Sequence, residues 1–134
     1  AAAVEGYIVA VRNENTAAGE SSNCHRGIQL HDFHVFIADA PAADPTTAKA
    51  EAVVVEMTPR WRAIHPTWQD KSVTGGGPGP IQTLVTNKTR VRITGWLMLD
   101  EEHLSVVGTQ RGTVWEIHPI TKVETLSHSQ WTEL

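Results

Sequence analysis

Five stretches of this chain read as strands, mostly by a period of two and in KAEAVVVEMT by a β-branched run, and each is cut off by proline, glycine or a polar cluster. Successive side chains of an extended strand point to opposite faces, so such runs declare half-buried β-strands. They are VEGYIVAVRN (4–13), IQLHDFHVFIAD (28–39), KAEAVVVEMT (49–58), RVRITGWLMLD (90–100) and TVWEIHPITKVETL (113–126). The small, polar ENTAAGESSNCHRG (14–27) and the stretch EEHLSVVGTQRG (101–112) read as loops. APAADPTT ends the second strand, because proline cannot donate to a ladder. Between the third and fourth strands the pattern changes. PRWRAIHPTWQDK (59–71) spaces Trp61, Ile64 and Trp68 for one or two helical turns interrupted at Pro66. GGGPGP (75–80) follows, and IQTLVTNK (81–88) reads as a short helix.

Five strands with a helical, irregular insertion between strands three and four is the order of an OB-fold, a small Greek-key barrel. A sandwich would want more strands, and 134 residues suit one domain with one core. Gly6 and Gly95 interrupt strands where a small barrel bulges or bends sharply. In this order strands two and three are hairpin neighbours, and strand five is expected to join the closed sheet through strand one.

Eleven basic residues against fifteen acidic leave a net charge of −4. Nucleic acid is therefore a disfavoured partner, since phosphate neutralisation needs a basic face. No apolar run approaches the ~18–20 residues of a membrane span. Cys24 is the single cysteine, so neither an intrachain disulfide nor a cysteine-based zinc site is available. The opening AAAVEG fits a mature protein released at a small-residue cleavage site, and equally a trimmed chain. The expected location is extracytoplasmic, periplasmic or secreted.

Ionisable residues stand out on three strands. Asp32 and His34 share a face of strand two with Phe36, Glu56 aligns with Val54 on strand three, and Glu116 aligns with His118 on strand five. His34, Glu56 and His118, with Asp32 as a fourth candidate, match the ligand types of a single divalent transition metal with an open position. The same groups can perform acid–base chemistry or simply satisfy one another across strands. All three of Asp32, His34 and His118 interrupt apolar alternation, so they are expected to lie close, partly buried, in one network between strands two and five. His31, Cys24 and His25 are further potential ligands near the strand-two entry.

The series DFHVFIAD, AVVVEMTP, RVRITGWLMLD and RGTVWEIHPITKVE resembles a group of small, exported, uncharacterised bacterial OB-fold-like proteins. They share an Asp-x-His strand, a Val-x-Glu strand before proline, a Val-x-Gly strand and a terminal Glu-[Ile/Leu]-His-Pro strand. The resemblance covers most of the chain after residue 23 and implies a barrel and a site, but no reaction.

OB barrels bind oligonucleotides or oligosaccharides on the face of strands two and three, often through aromatic side chains. Trp96 lies out of phase with Val91, Ile93 and Leu97 and is expected to point outward. With Trp61, Arg60 and Arg92 it forms the candidate ligand-binding set, and Arg62, Arg90 and Arg111 extend a basic stripe. Covering of core edges by the five tryptophans, and solvation of the arginines, are the simpler readings. Two functions therefore stand. One is an exported OB-like module that binds an extended ligand: an oligosaccharide, a nucleic acid or a protein partner. The other is a small metal-dependent enzyme, a hydrolase, built on His34, Glu56 and His118.

Overall fold

The computed structural model describes residues 1–13, 32–69 and 78–134. Its strands are β1 (Ala2–Asn13), β2 (Phe33–Ala38), β3 (Val53–Met57), β4 (Arg90–Leu99), β5 (Trp115–Ser127) and β6 (Gln130–Glu133). Three short helices intervene: α1 (Pro45–Lys49), α2 (Pro59–Ile64) and α3 (Pro80–Thr86). Residues 28–31 of the second expected strand, with Cys24, His25 and His31, lie outside the described residues.

β1 is the hub. One of its edges pairs with β2 and the other with β4, both antiparallel. β2 continues to β3, and β4 to β5, again antiparallel. The ring closes where β3 and β5 run parallel, Val54 beside Glu116 and Val55 beside Ile117. This is a closed five-stranded, OB-like barrel with β6 outside the ring on β5. The expected route of strand five through strand one is corrected: both edges of β1 are taken, and β5 enters between β4 and β3.

Two further departures have local causes. Residues 49–52, expected at the start of a strand, finish α1 and its turn, where Ala52 N–H donates to Lys49 O. Lys, Ala and Glu favour helix over strand. The unexpected β6 follows a turn at His128 and Ser129, both with positive φ. A two-residue hairpin loop can take that geometry, but His-Ser lacks the Asn-Gly signature by which it is normally read.

Phe33, Val35, Ile37, Val55, Met57, Ile93, Ile117 and Val123 bury into one core, joined by Ile81 and Leu84 of α3 and by Trp68. The insertion between β3 and β4 thus contributes to the core of the barrel. A second, smaller apolar cluster of Val9, Phe36, Ala52 and Val54 has Ala48 of α1 packed against it. Because Phe36 and Val54 alternate with core residues, this cluster marks the outward face of β2 and β3. The ionisable residues lie on that same outward face.

Gly95 sits where β4 and β5 change register. A Cβ there would fall on Pro119 O and come within 2.6 Å of Ile117 Cγ2 and 2.8 Å of Ile120 Cα. Gly95→Ala is therefore expected to destabilise the fold by about 2 kcal/mol through overpacking, read as a lowered urea midpoint. An unchanged midpoint would show that the strands are not held this close.

Candidate metal centre

Cross-strand register assembles the site. Arg12 of β1 pairs with His34 of β2, and His34 with Glu56 of β3. The parallel pairing of Val54 with Glu116 brings the outward residues of β3 and β5 together. His34 Nε2 lies 2.5 Å from Glu56 Oε1, and Glu56 Oε2 lies 3.1 Å from His118 Nδ1. One carboxylate is thus shared by two imidazoles from strands on either side of it. His118 Nδ1 also faces Glu116 Oε1 at 3.3 Å, and its Nε2 faces Asp32 Oδ2 at 3.5 Å.

The chain of charges continues into the β4–β5 connection. Glu116, only 2% exposed, accepts from Arg111 Nη2 at 3.1 Å. Arg111 Nη1 donates to Asp100, whose Oδ2 also contacts His103 Nδ1 at 2.6 Å. Arg111 is itself buried. From His34 to His103, acids and bases alternate, and each interior member of the chain touches an opposite on both sides. Buried charges need such pairing, because an isolated one costs several kcal/mol.

His118 is the electrostatic centre. Burial pulls its pKa down, but hydrogen bonds to Asp32 and Glu116 and the charges of Glu56 and Asp32 outweigh burial and push it up to about 10. Geometry gives the same answer. Both ring nitrogens face carboxylates, and a neutral imidazole has only one N–H to donate. Asp100 is held below the ordinary carboxylate range: burial opposes this, but His103 and Arg111 prevail.

Asp32, Glu56 and His118 each offer one ligand atom, and these atoms all lie within 4.8 Å of one another. Asp32 Oδ1 is buried without a hydrogen-bond partner among the described residues. Of the four sequence candidates, the structure gathers Asp32, Glu56 and His118 into this group. It sets His34 behind Glu56, where it orients that carboxylate. Asp32 meets His118 directly, but the expected link between His34 and His118 runs through Glu56 of β3 and so spans three strands, not two. Sequence reasoning did not single out Asp100 or His103. Their three-residue spacing was the one available signal, with Asp100 at the end of the expected fourth strand and His103 in the expected loop after it.

The candidate ligand set Trp61, Trp96, Arg60 and Arg92 is dispersed. Arg92 pairs with Glu5 at 2.8 Å and lies over the Trp131 ring, 4.1 Å from its centroid. Trp61 is half-buried in a stack with His65 and Trp68, while Arg60 is exposed on α2. Trp96 is 60% exposed at the far end of β4. The stripe is broken up too. Arg62 is buried over the Phe33 ring, Arg111 belongs to the charge chain, and Arg90 faces Glu5.

Comparison with protein-family models, curated proteins and solved structures finds no match to this chain.

Two measurements test the network. His34→Ala should cost about 1–3 kcal/mol by stripping a partner from buried Glu56. His118→Ala should cost about 3 kcal/mol or more, because it removes the cation that faces Asp32, Glu56 and Glu116 and leaves Asp32 without its partner. Both act through Glu56, so the double mutant should lose less than the sum; additive losses in chemical denaturation would break the link.

The second is pH. The folded state holds the His118 proton to about pH 10, while an unfolded histidine releases it near 6.5. The stabilisation is full below pH 6.5 and is lost as pH rises toward 10. Metal-free protein should weaken between pH 7 and 9.5, by at most ~1.4 kcal/mol per pH unit and by less than that because the ring is partly exposed. His118→Gln should flatten the profile. A wild-type profile that is flat or rising would contradict the assignment.

Proposed function

We propose that this OB-like barrel is a metal-binding module in which Asp32, Glu56 and His118 hold one divalent transition-metal ion. The observation that carries the reading is their convergence from three segments, within 4.8 Å, beside an unpartnered buried oxygen of Asp32. One imidazole and two carboxylates suit borderline ions such as Zn²⁺, Mn²⁺ or Fe²⁺. The surroundings fit as well. His34 fixes Glu56, and Arg111 and Glu116 brace the far side of His118, as residues behind metal ligands commonly do. Three carboxylates around one imidazole also favour a dication over a proton.

An extended ligand is the second part of the proposal. The site lies on the outward β2–β3 face, where OB barrels take such ligands. Beside it, a small, shallow cleft is lined by Arg12, His34, His103, Gln110 and Arg111 over Phe36 and Val54. That lining suits an anionic group of the ligand. An ion with three protein ligands would supply Lewis-acid and water-activating chemistry, which makes hydrolysis the reaction class to test. Export is supported by the sequence resemblance alone. Among the described residues no helix is long and apolar enough to cross a membrane.

Untagged protein, stripped with chelator and dialysed against Zn²⁺ or Mn²⁺ at pH 8, should retain one equivalent by elemental analysis. At a thousandfold excess over Kd its stability should rise by about 4 kcal/mol. Asp32→Asn should weaken binding by 10-fold or more. No retained metal and no thermal shift with any of these ions would overturn the reading.

A further inference from the structure

Every ionisable side chain that lines the cleft beside the candidate metal centre is a base. Arg12 comes from the end of β1, His34 from β2, and His103 and Arg111 from the connection between β4 and β5. Gln110 adds a neutral amide. Among the described residues no carboxylate lines this cleft. The acids that pair with these bases stand behind them. Glu56 backs His34, Asp100 backs His103, and Asp100 and Glu116 together back Arg111.

Such an arrangement fixes the bases without exhausting them. A guanidinium carries five N–H donors, and Arg111 gives one Nη to each of its two carboxylates. Phe36 and Val54, both buried, form an apolar floor, over which a donor attracts an acceptor more strongly than it does in open water. The room inside is about 30 Å³, far below the ~300–1,000 Å³ of a pocket that encloses a whole small molecule. One small polar group fits there, and a sugar ring or a base does not.

We infer that the cleft seats a phosphoryl group, and that the ligand of this face carries one such group. The bases come from three separate elements and so surround a tetrahedral oxyanion, whereas a planar carboxylate is matched by a single arginine fork. A chain of phosphates would need the basic face to continue. The arginines of β4 instead face Glu5, and the whole chain carries a charge of −4. His34 lines the cleft and its partner Glu56 belongs to the metal group, so a cation bound there adds to the attraction for an anion. The assignment deepens the reading of this face as a ligand site, on which it rests, but it does not require the metal.

Titration of inorganic phosphate into chelator-treated protein at pH 7, followed by backbone ¹H–¹⁵N shifts, tests it. Phosphate should give saturable shifts centred on Arg12, His34, Gln110 and Arg111, and acetate should bind more weakly. Arg12→Gln and Gln110→Glu, both at exposed positions, should each weaken phosphate roughly tenfold or more, the loss expected for one charge-assisted contact. Both variants should retain Mn²⁺ as the wild type does. Saturable phosphate binding without metal retention upholds the cleft and overturns the metal centre. Metal retention without phosphate shifts overturns the cleft and leaves the metal centre standing. Acetate that binds as tightly as phosphate, or phosphate binding undiminished in either folded variant, also overturns the assignment.

Discussion

A single carboxylate, Glu56, is shared between His34 and His118, and the polar half of this molecule is organised around that sharing. Neither histidine neighbours the other in sequence, and the strands that carry them meet only through β3. The buried acid makes sense with both imidazoles in place, and His118 carries its charge because Glu56, Asp32 and Glu116 surround it. Removing any member leaves a charge in a setting too dry to tolerate it.

Barrel closure is what brings these groups together. Antiparallel hairpins put β2 beside β3 and β4 beside β5, but the parallel contact between β3 and β5 seats Glu56 next to His118. Gly95 permits the close passage of β4 past Pro119, immediately after His118. The same strands devote one face to the apolar core and the other to the charge chain. Stability and the candidate chemistry thus rest on the same register: a slip by one residue would exchange Val55 for Glu56 inside the barrel.

Much of this was legible in the sequence, for identifiable reasons. Period-two alternation, and in the third strand a β-branched run, located the five ring strands, and the break at Pro59 and Pro66 located the helical insertion. Asp32, His34, Glu56 and His118 stood out because each interrupts an apolar run. What alternation cannot show is which strands become neighbours. The route of β5 was misjudged on that account, and Glu56 was not recognised as the link between the two histidines. His103 was hidden in a stretch whose composition looks solvated, Asp100 closed an expected strand, and Arg111 was read as part of a basic stripe; only the fold turns the three onto one another beside the site. Arg92 and Trp61 were candidates for ligand contact by residue type, but Glu5, Trp131 and the His65–Trp68 stack claim them. Residue type is visible in a sequence, whereas a partner brought from another strand is not.

The most direct test of this account is the protonation of the His118 ring, read by long-range ¹H–¹⁵N correlation spectroscopy at pH 8.5. In metal-free protein both ring nitrogens should carry protons, as expected for an imidazolium held between carboxylates with a pKa of about 10. One equivalent of Zn²⁺ should then strip the proton from one nitrogen and shift its resonance into the range of a metal-bound imidazole. A neutral ring at pH 8.5 that is unmoved by Zn²⁺ would contradict both the charge chain and the metal centre built on it.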